Sequence, residues 1–87
     1  MSDVVFRNPL SVTAEEFAEL TNQEVVIKYH NYKLEGNIKY VQLEANNRGV
    51  GSFEFELSPA SRKQLGEALQ WIPKKFTPRE IGGIRLK

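Results

Sequence analysis

The sequence contains no cysteine, which removes a disulfide framework and any thiolate metal site or nucleophile. It has a single histidine, His30, so the His-centred machinery of hydrolases and transferases has almost nothing to be built from. No apolar run approaches the ~18 residues that a membrane span needs. Met1 to Phe6 carries no basic flank and no long apolar stretch, and so does not read as a secretion signal. The expectation is a cytoplasmic protein without a membrane role, although a mature secreted fragment would have the same composition. Internal repeats and low-complexity segments are missing too.

What remains is an ordinary globular composition, 40% hydrophobic and 26% charged, in a chain of 87 residues. That length predicts one small α+β domain over residues 1–87, near the lower range for folding alone. With no covalent staple, an apolar core must carry the stability. The formal net charge of +1 conceals an asymmetry. Met1 to Ser61 holds five basic residues against nine acidic ones, whereas Arg62 to Lys87 holds seven basic residues against Glu67 and Glu80. Such a split marks a face for nucleic acid or an acidic protein, unless the two parts neutralise each other within the domain.

Val4-Val5-Phe6 reads as a short strand or an apolar arm, ended by Asn8-Pro9. Thr13 and Glu16 form a capping box, with Val12 and Phe17 at the staple positions. This predicts a helix over Ala14–Leu20 with Phe17 and Leu20 facing inward. Glu24 to Leu57 then reads as three consecutive strands. A two-residue turn at His30-Asn31 would pair Tyr29 with Tyr32, Ile27 with Leu34 and Val25 with Gly36, and would set Lys28 against Lys33. Asn31 suits the left-handed position of that turn. In the second strand the apolar phase flips at Tyr40-Val41, which predicts a β-bulge or bend there. Asn47-Arg48-Gly49 suits a three-residue hairpin with Gly49 left-handed, pairing Leu43 with Phe53 and Val41 with Phe55. Ile27, Leu34, Val41, Leu43, Phe53 and Phe55 are the expected inward residues.

Ser58-Pro59 opens a second helix, in which Leu65, Ala68, Leu69 and Ile72 make one apolar stripe. Gly66 within it costs about 1 kcal/mol relative to Ala. In ideal α-helical geometry Trp71 lies about 100° from the centre of the stripe, at the core margin, where it is expected to cover the core edge. Thr77 to Glu80 repeats the capping-box pattern, predicting a short helical turn ended by Gly82-Gly83. Ile84-Arg85-Leu86-Lys87 reads as an edge strand or an arm. The expected fold is therefore a three-stranded, strongly bent antiparallel meander packed by an N-terminal and a C-terminal helix (α-β-β-β-α). A short extra helical turn and a C-terminal strand or arm complete it.

The order helix, three-stranded meander, helix, together with the Ser-x-Arg-Lys-like opening from Ser58 to Lys63, resembles double-stranded-RNA-binding domains. The resemblance implies that this opening would be aimed at phosphates. The chain departs from that pattern in lacking a lysine-rich second helix start, in placing the first strand too close behind the first helix, and in its C-terminal extension. The likeness is therefore one of topology alone.

Catalytic arrangements are not legible. His30 sits at a hairpin tip. Glu15, Glu16 and Glu19 form a solvated helix face, and Glu54 and Glu56 are strand surface. Gly49-Val50-Gly51 lacks the following helix that a phosphate-cradling loop needs. No enzyme, metal or cofactor is expected. Binding remains, through the basic C-terminal third, the acidic first helix, or a sheet edge carrying Tyr29, Tyr32 and Tyr40. The candidate partner-binding residues are Arg62, Lys63, Trp71, Lys74, Lys75, Phe76 and Arg79. They interleave charge and aromatic rings as phosphate contact with base stacking would require. The expected role is a non-enzymatic module that docks a macromolecule, with a protein preferred because the overall charge is near neutral. Nucleic-acid binding through the basic third is the alternative, and self-assembly into a homo-oligomer the third.

Overall fold

The computed structural model describes residues 6–87; the expected strand or arm at Val4-Val5 lies outside them. One six-stranded antiparallel sheet organises the chain, in the order β1-β6-β2-β3-β4-β5. The strands are β1 (Phe6–Arg7), β2 (Glu24–Tyr29), β3 (Tyr32–Leu43), β4 (Val50–Leu57), β5 (Lys75–Phe76) and β6 (Ile81–Leu86). Two short α-helices, α1 (Ala14–Glu19) and α2 (Pro59–Leu65), and several 3-10 turns cover and connect them.

This corrects the three-stranded α-β-β-β-α meander. The central hairpins exist, but the C-terminal segment is neither an edge strand nor an arm. It is β6, inserted between β1 and β2, with Ile84 opposite Ile27 and Leu86 opposite Val25. Gly82-Gly83 does not end a helix. Lys28 pairs with Gly83 and Tyr29 with Ile81, which leaves Gly82 as an extra residue in the ladder. The capping box Thr77–Glu80 does form, but it closes a 3-10 turn, Pro78–Glu80, that leads straight into β6. The strand order also removes the likeness to double-stranded-RNA-binding domains.

The first hairpin follows the alternation of its residues. Tyr29 pairs with Tyr32, Ile27 with Leu34, Val25 with Gly36, and Lys28 faces Lys33. The turn differs in one respect: His30, at φ 53, and not Asn31, takes the left-handed conformation, and its ring packs on Tyr29 with centroids 4.4 Å apart. The second hairpin departs further. The register slips between Ile38 and Tyr40 and again between Gln42 and Leu43, so that Val41 pairs with Phe53, Ile38 with Phe55 and Leu43 with Val50. The bulge is thus at Lys39, next to the expected site, and it brings both Lys39 and Tyr40 to the surface. The connection is a 3-10 turn over Ala45–Asn47 in which Asn46 carries the positive φ of 78; Gly49 does not. Leu43, expected inside, is therefore exposed.

The core lies on one face of the sheet. Val25, Ile27, Leu34, Ile38, Phe53, Phe55, Ile81 and Ile84 are buried, with Phe76 from β5 and Phe17 from α1. Phe17 meets Phe53 at 4.9 Å between centroids, and Leu20 packs against the cluster half-buried. The capping box of α1 is complete: the Glu16 N–H donates to the Thr13 hydroxyl and the Thr13 N–H to the Glu16 carboxylate. The shortest extent of the molecule is 20 Å, which leaves room for the sheet and one covering layer.

Both helices also finish the backbone pairing of the long strand β3. Beyond the α1 end, the Asn22 N–H donates to the Ile38 carbonyl. At the other end, the Ser58 N–H donates to the Glu35 carbonyl at 2.8 Å, the last rung between β3 and β4. The Glu35 N–H would pair with the Ser58 carbonyl in a continuing ladder, but that carbonyl accepts the first helical bond of α2, from Arg62. The Ser61 hydroxyl takes the Glu35 N–H instead, at 3.2 Å. Ser61 is 3% exposed, the single buried polar side chain among the described residues. Ser61→Ala therefore leaves a partly buried donor unpaired, and the expected loss is about 1–3 kcal/mol, readable as a lower urea midpoint at unchanged m-value. Ser61→Ala with stability equal to wild type would mean that this bond does not hold α2 to β3.

The end of β6 is tied across the sheet as well. The Lys87 ammonium donates to the Glu35 carboxylate at 2.6 Å, and this hydrogen bond, followed by the Glu35 charge, holds the lysine above its ordinary value of 10.5. Both side chains remain substantially exposed, so the pair orients the strand end more than it stabilises the fold.

Candidate functional site

Gly66 decides the geometry of the candidate site. At φ 49 it cannot continue an α-helix, and it ends α2 at Leu65. The chain resumes as a 3-10 helix over Gly66–Gln70. The Trp71 and Ile72 N–H groups then bond three residues back, to the Ala68 and Leu69 carbonyls. At three residues per turn, Leu69 and Ile72 eclipse on one side of this segment, and Trp71 projects about 120° away from them. The ideal α-helical stripe that would have set Trp71 over the core edge is broken at its middle. Trp71 is 80% exposed, which corrects that expectation.

A groove of about 460 Å³ runs between this segment and the outer edge of β4. Phe55, Leu57, Leu69, Ile72 and Phe76 supply its apolar lining, and Pro73 closes one end. Lys39, Glu54, Glu56, Arg62 and Lys74 supply its charges. Lys39 and Glu56 pair with each other at 3.4 Å. Glu54 lies opposite Lys75 in the β4–β5 register. Arg62 and Lys74 have no carboxylate partner among the described residues.

The β4 edge facing the groove is open for part of its length. β5 is two residues long and covers Phe53 and Glu54 alone. The Lys74 carbonyl then takes the Phe55 N–H at 3.1 Å, and the chain turns away at Pro73. Backbone groups alternate between the two sides of a strand. Glu56 and Glu54 point theirs at β3, so Leu57, like Phe55, points its N–H and carbonyl outward. Neither Leu57 group has a hydrogen-bond partner among the described residues.

The basic C-terminal third is thus only partly one site. Arg62 and Lys74 line the groove together. Lys63 and Lys75 are exposed nearby in the chain but do not line it. Arg79 belongs elsewhere, to a shallow depression beside the Pro78–Glu80 turn that includes Leu10, Glu44 and Val50. Phe76 is not a surface ring. It is 1% exposed, stacked on Phe53 at 5.7 Å and met edge-on by Tyr29 at 5.1 Å, which withdraws it as a stacking platform. Sequence reasoning missed Lys39, Glu54 and Leu57 as groove residues, and it read Leu69 and Ile72 as core. Their half-burial is a property of the interrupted helix, and Gly66 was the available signal.

The arrangement offers recognition chemistry: an apolar floor, two unpaired cations and free backbone groups. His30 sits at the β2–β3 turn, away from the groove lining. No group of three or more His, Asp or Glu side chains gathers among the described residues in a form that could hold a metal ion. No helix among them is long and apolar enough to cross a membrane. Comparison of the chain with protein-family models, with curated proteins and with solved structures gives no match.

Proposed function

We propose that the protein is a non-enzymatic module that docks a protein partner, with Trp71 and the adjoining groove as the contact surface. The observation that carries this reading is the exposure of the chain's single tryptophan, next in the chain to Ile72 of an apolar groove though not itself part of the lining. Tryptophan and arginine are the side chains that dominate protein contacts energetically, and an indole left in water loses the apolar contact it could gain against a partner. The sheet next to the groove argues against a nucleic-acid ligand. Phe76 of β5 is buried and cannot stack on a base, which removes one of the two rings that base stacking would use. Self-assembly through the outermost strands β1 and β5 has little support, because each is two residues long and short edges oppose strand pairing between copies; the open stretch of β4 lies inside β5 in the strand order.

The test is capture from host lysate after nuclease treatment, with wild type and Trp71→Ala compared at equal loading. The expected result is a protein retained by wild type and lost, by about tenfold or more, from Trp71→Ala. The melting temperature of the variant should be unchanged, because the indole is outside the core. Retention that vanishes with nuclease, or that is equal for both proteins, contradicts the reading.

A further inference from the structure

We infer that the groove takes an extended, acidic segment of the partner as an added strand on β4. The inference rests on the docking reading and names what is docked. Three independent features converge on it. The first is the backbone. Beyond Phe55, whose N–H is taken by Lys74, β4 presents the outward N–H and carbonyl of Leu57 with no partner among the described residues. A strand edge of this kind is satisfied by another extended chain.

The second feature is the spacing of the lining. Phe55 and Leu57 are two apart on one strand face, and Leu69 and Ile72 stand opposite them across the groove. A chain lying along β4 points alternate side chains toward one face, so every second residue of the segment would reach the apolar lining and the residues between would reach the rim.

The third feature is charge. Lys39 is engaged by Glu56, and Glu54 has Lys75 opposite it. No ion pair holds Glu54 among the described residues, so the unpaired charges of the groove are Arg62 and Lys74 against Glu54, a set that is positive on balance. Carboxylates at the rim positions of the segment would meet Arg62 and Lys74, and the arginine offers a planar two-donor fork suited to a carboxylate. A basic segment would face these two cations instead. The occupant is therefore a segment alternating acidic and branched apolar residues.

The experiment uses fluorescein-labelled six-residue peptides, capped at both ends, and anisotropy with the full chain. One peptide alternates Glu with Val and Ile. A second carries Lys in place of each Glu. Two further versions of the acidic peptide are N-methylated at alternate residues, one in each phase. The acidic peptide should bind, and its binding should weaken as salt rises. It should bind about tenfold or more weakly to the Arg62→Glu/Lys74→Glu double variant. The lysine peptide should bind that double variant better than it binds wild type. One of the two N-methylated phases should lose binding, and the other should keep it.

Equal binding of the acidic and lysine peptides to wild type overturns the charge assignment, and with it the inference. Equal binding of both N-methylated phases overturns strand addition. If the acidic peptide does not bind while wild type still captures a nuclease-resistant protein that Trp71→Ala loses, this inference falls and the docking reading stands. If Trp71→Ala loses nothing, both fall.

Discussion

Removing residues 81–87 is expected to abolish the cooperative fold. The segment holds Ile81 and Ile84, both buried, and half-buried Leu86. Losing these two buried isoleucines costs about 3–6 kcal/mol. The deletion also strips the whole outer edge of β2 of its partner, leaves β1 with nothing to pair with, and opens Val25 and Ile27 to water. The total stability of a chain this long is roughly 4–13 kcal/mol, so the sum of these losses consumes it. Far-UV circular dichroism of the truncated chain should show no sigmoidal melt, and its amide proton resonances should collapse to a narrow range. A truncated chain that still melts cooperatively would place β6 where its sequence pattern puts it, as a dispensable edge or arm.

Gly36→Ala is expected to be strongly destabilising. A Cβ built at Gly36 would stand 1.9 Å from the Glu56 carbonyl oxygen, 2.9 Å from its carbon and 3.0 Å from the Leu57 Cα. All three are backbone atoms of β4, so no side-chain rotation relieves the clash, and β3 and β4 must part. Forced overpacking of this kind costs about 3 kcal/mol or more, which for this size lowers Tm by roughly 12–24 °C. Gly49→Ala is the control. A Cβ there meets nothing within 4 Å, and the expected change is under about 1 kcal/mol. Equal melting temperatures for the two variants would contradict the close approach of β3 and β4. The same close approach sets the height of Leu57 beside the groove, so Gly36→Ala should weaken partner capture as well as stability.

The contrast between these two glycines shows how far the sequence could be read. Where a feature follows from residues near one another, it was legible. Alternation in Val25 to Tyr29 and Tyr32 to Gly36 fixes a register, because a slip by one residue turns every apolar side chain to the wrong face. Thr13 with Glu16, and Thr77 with Glu80, announce caps because the partners are three residues apart. Ser58-Pro59 announces a helix start in the same way. Phe53 and Phe55 were read as inward and are buried.

Features set by distant parts of the chain were not legible. Ile84-Arg85-Leu86-Lys87 shows the period of a strand, but alternation is the same for a strand with one neighbour and a strand with two. Insertion of β6 between β1 and β2 is a property of the whole chain. The β3–β4 register was displaced because the turn is longer than its Asn-Arg-Gly pattern implied, and because Lys39 is an extra residue in β3. Leu69 and Ile72 have the spacing of a core stripe, and the groove exists because Gly66 leaves that stripe half-filled. A glycine in a helical pattern was read as a small local cost. In the structure it ends the helix, turns Trp71 outward and makes the candidate site.

A protein partner docked as proposed, along the groove between β4 and the segment from Leu69 to Lys74, would shield both sides of that groove. Amide hydrogen exchange on the complex purified by capture, compared with the free chain, tests this most directly. The expected result is slowed exchange confined to Leu57 and to residues 69–74, with the β2–β3 hairpin unchanged. Protection confined to the β2–β3 hairpin, or to α1, with Leu57 and residues 69–74 exchanging as in the free chain, would contradict it.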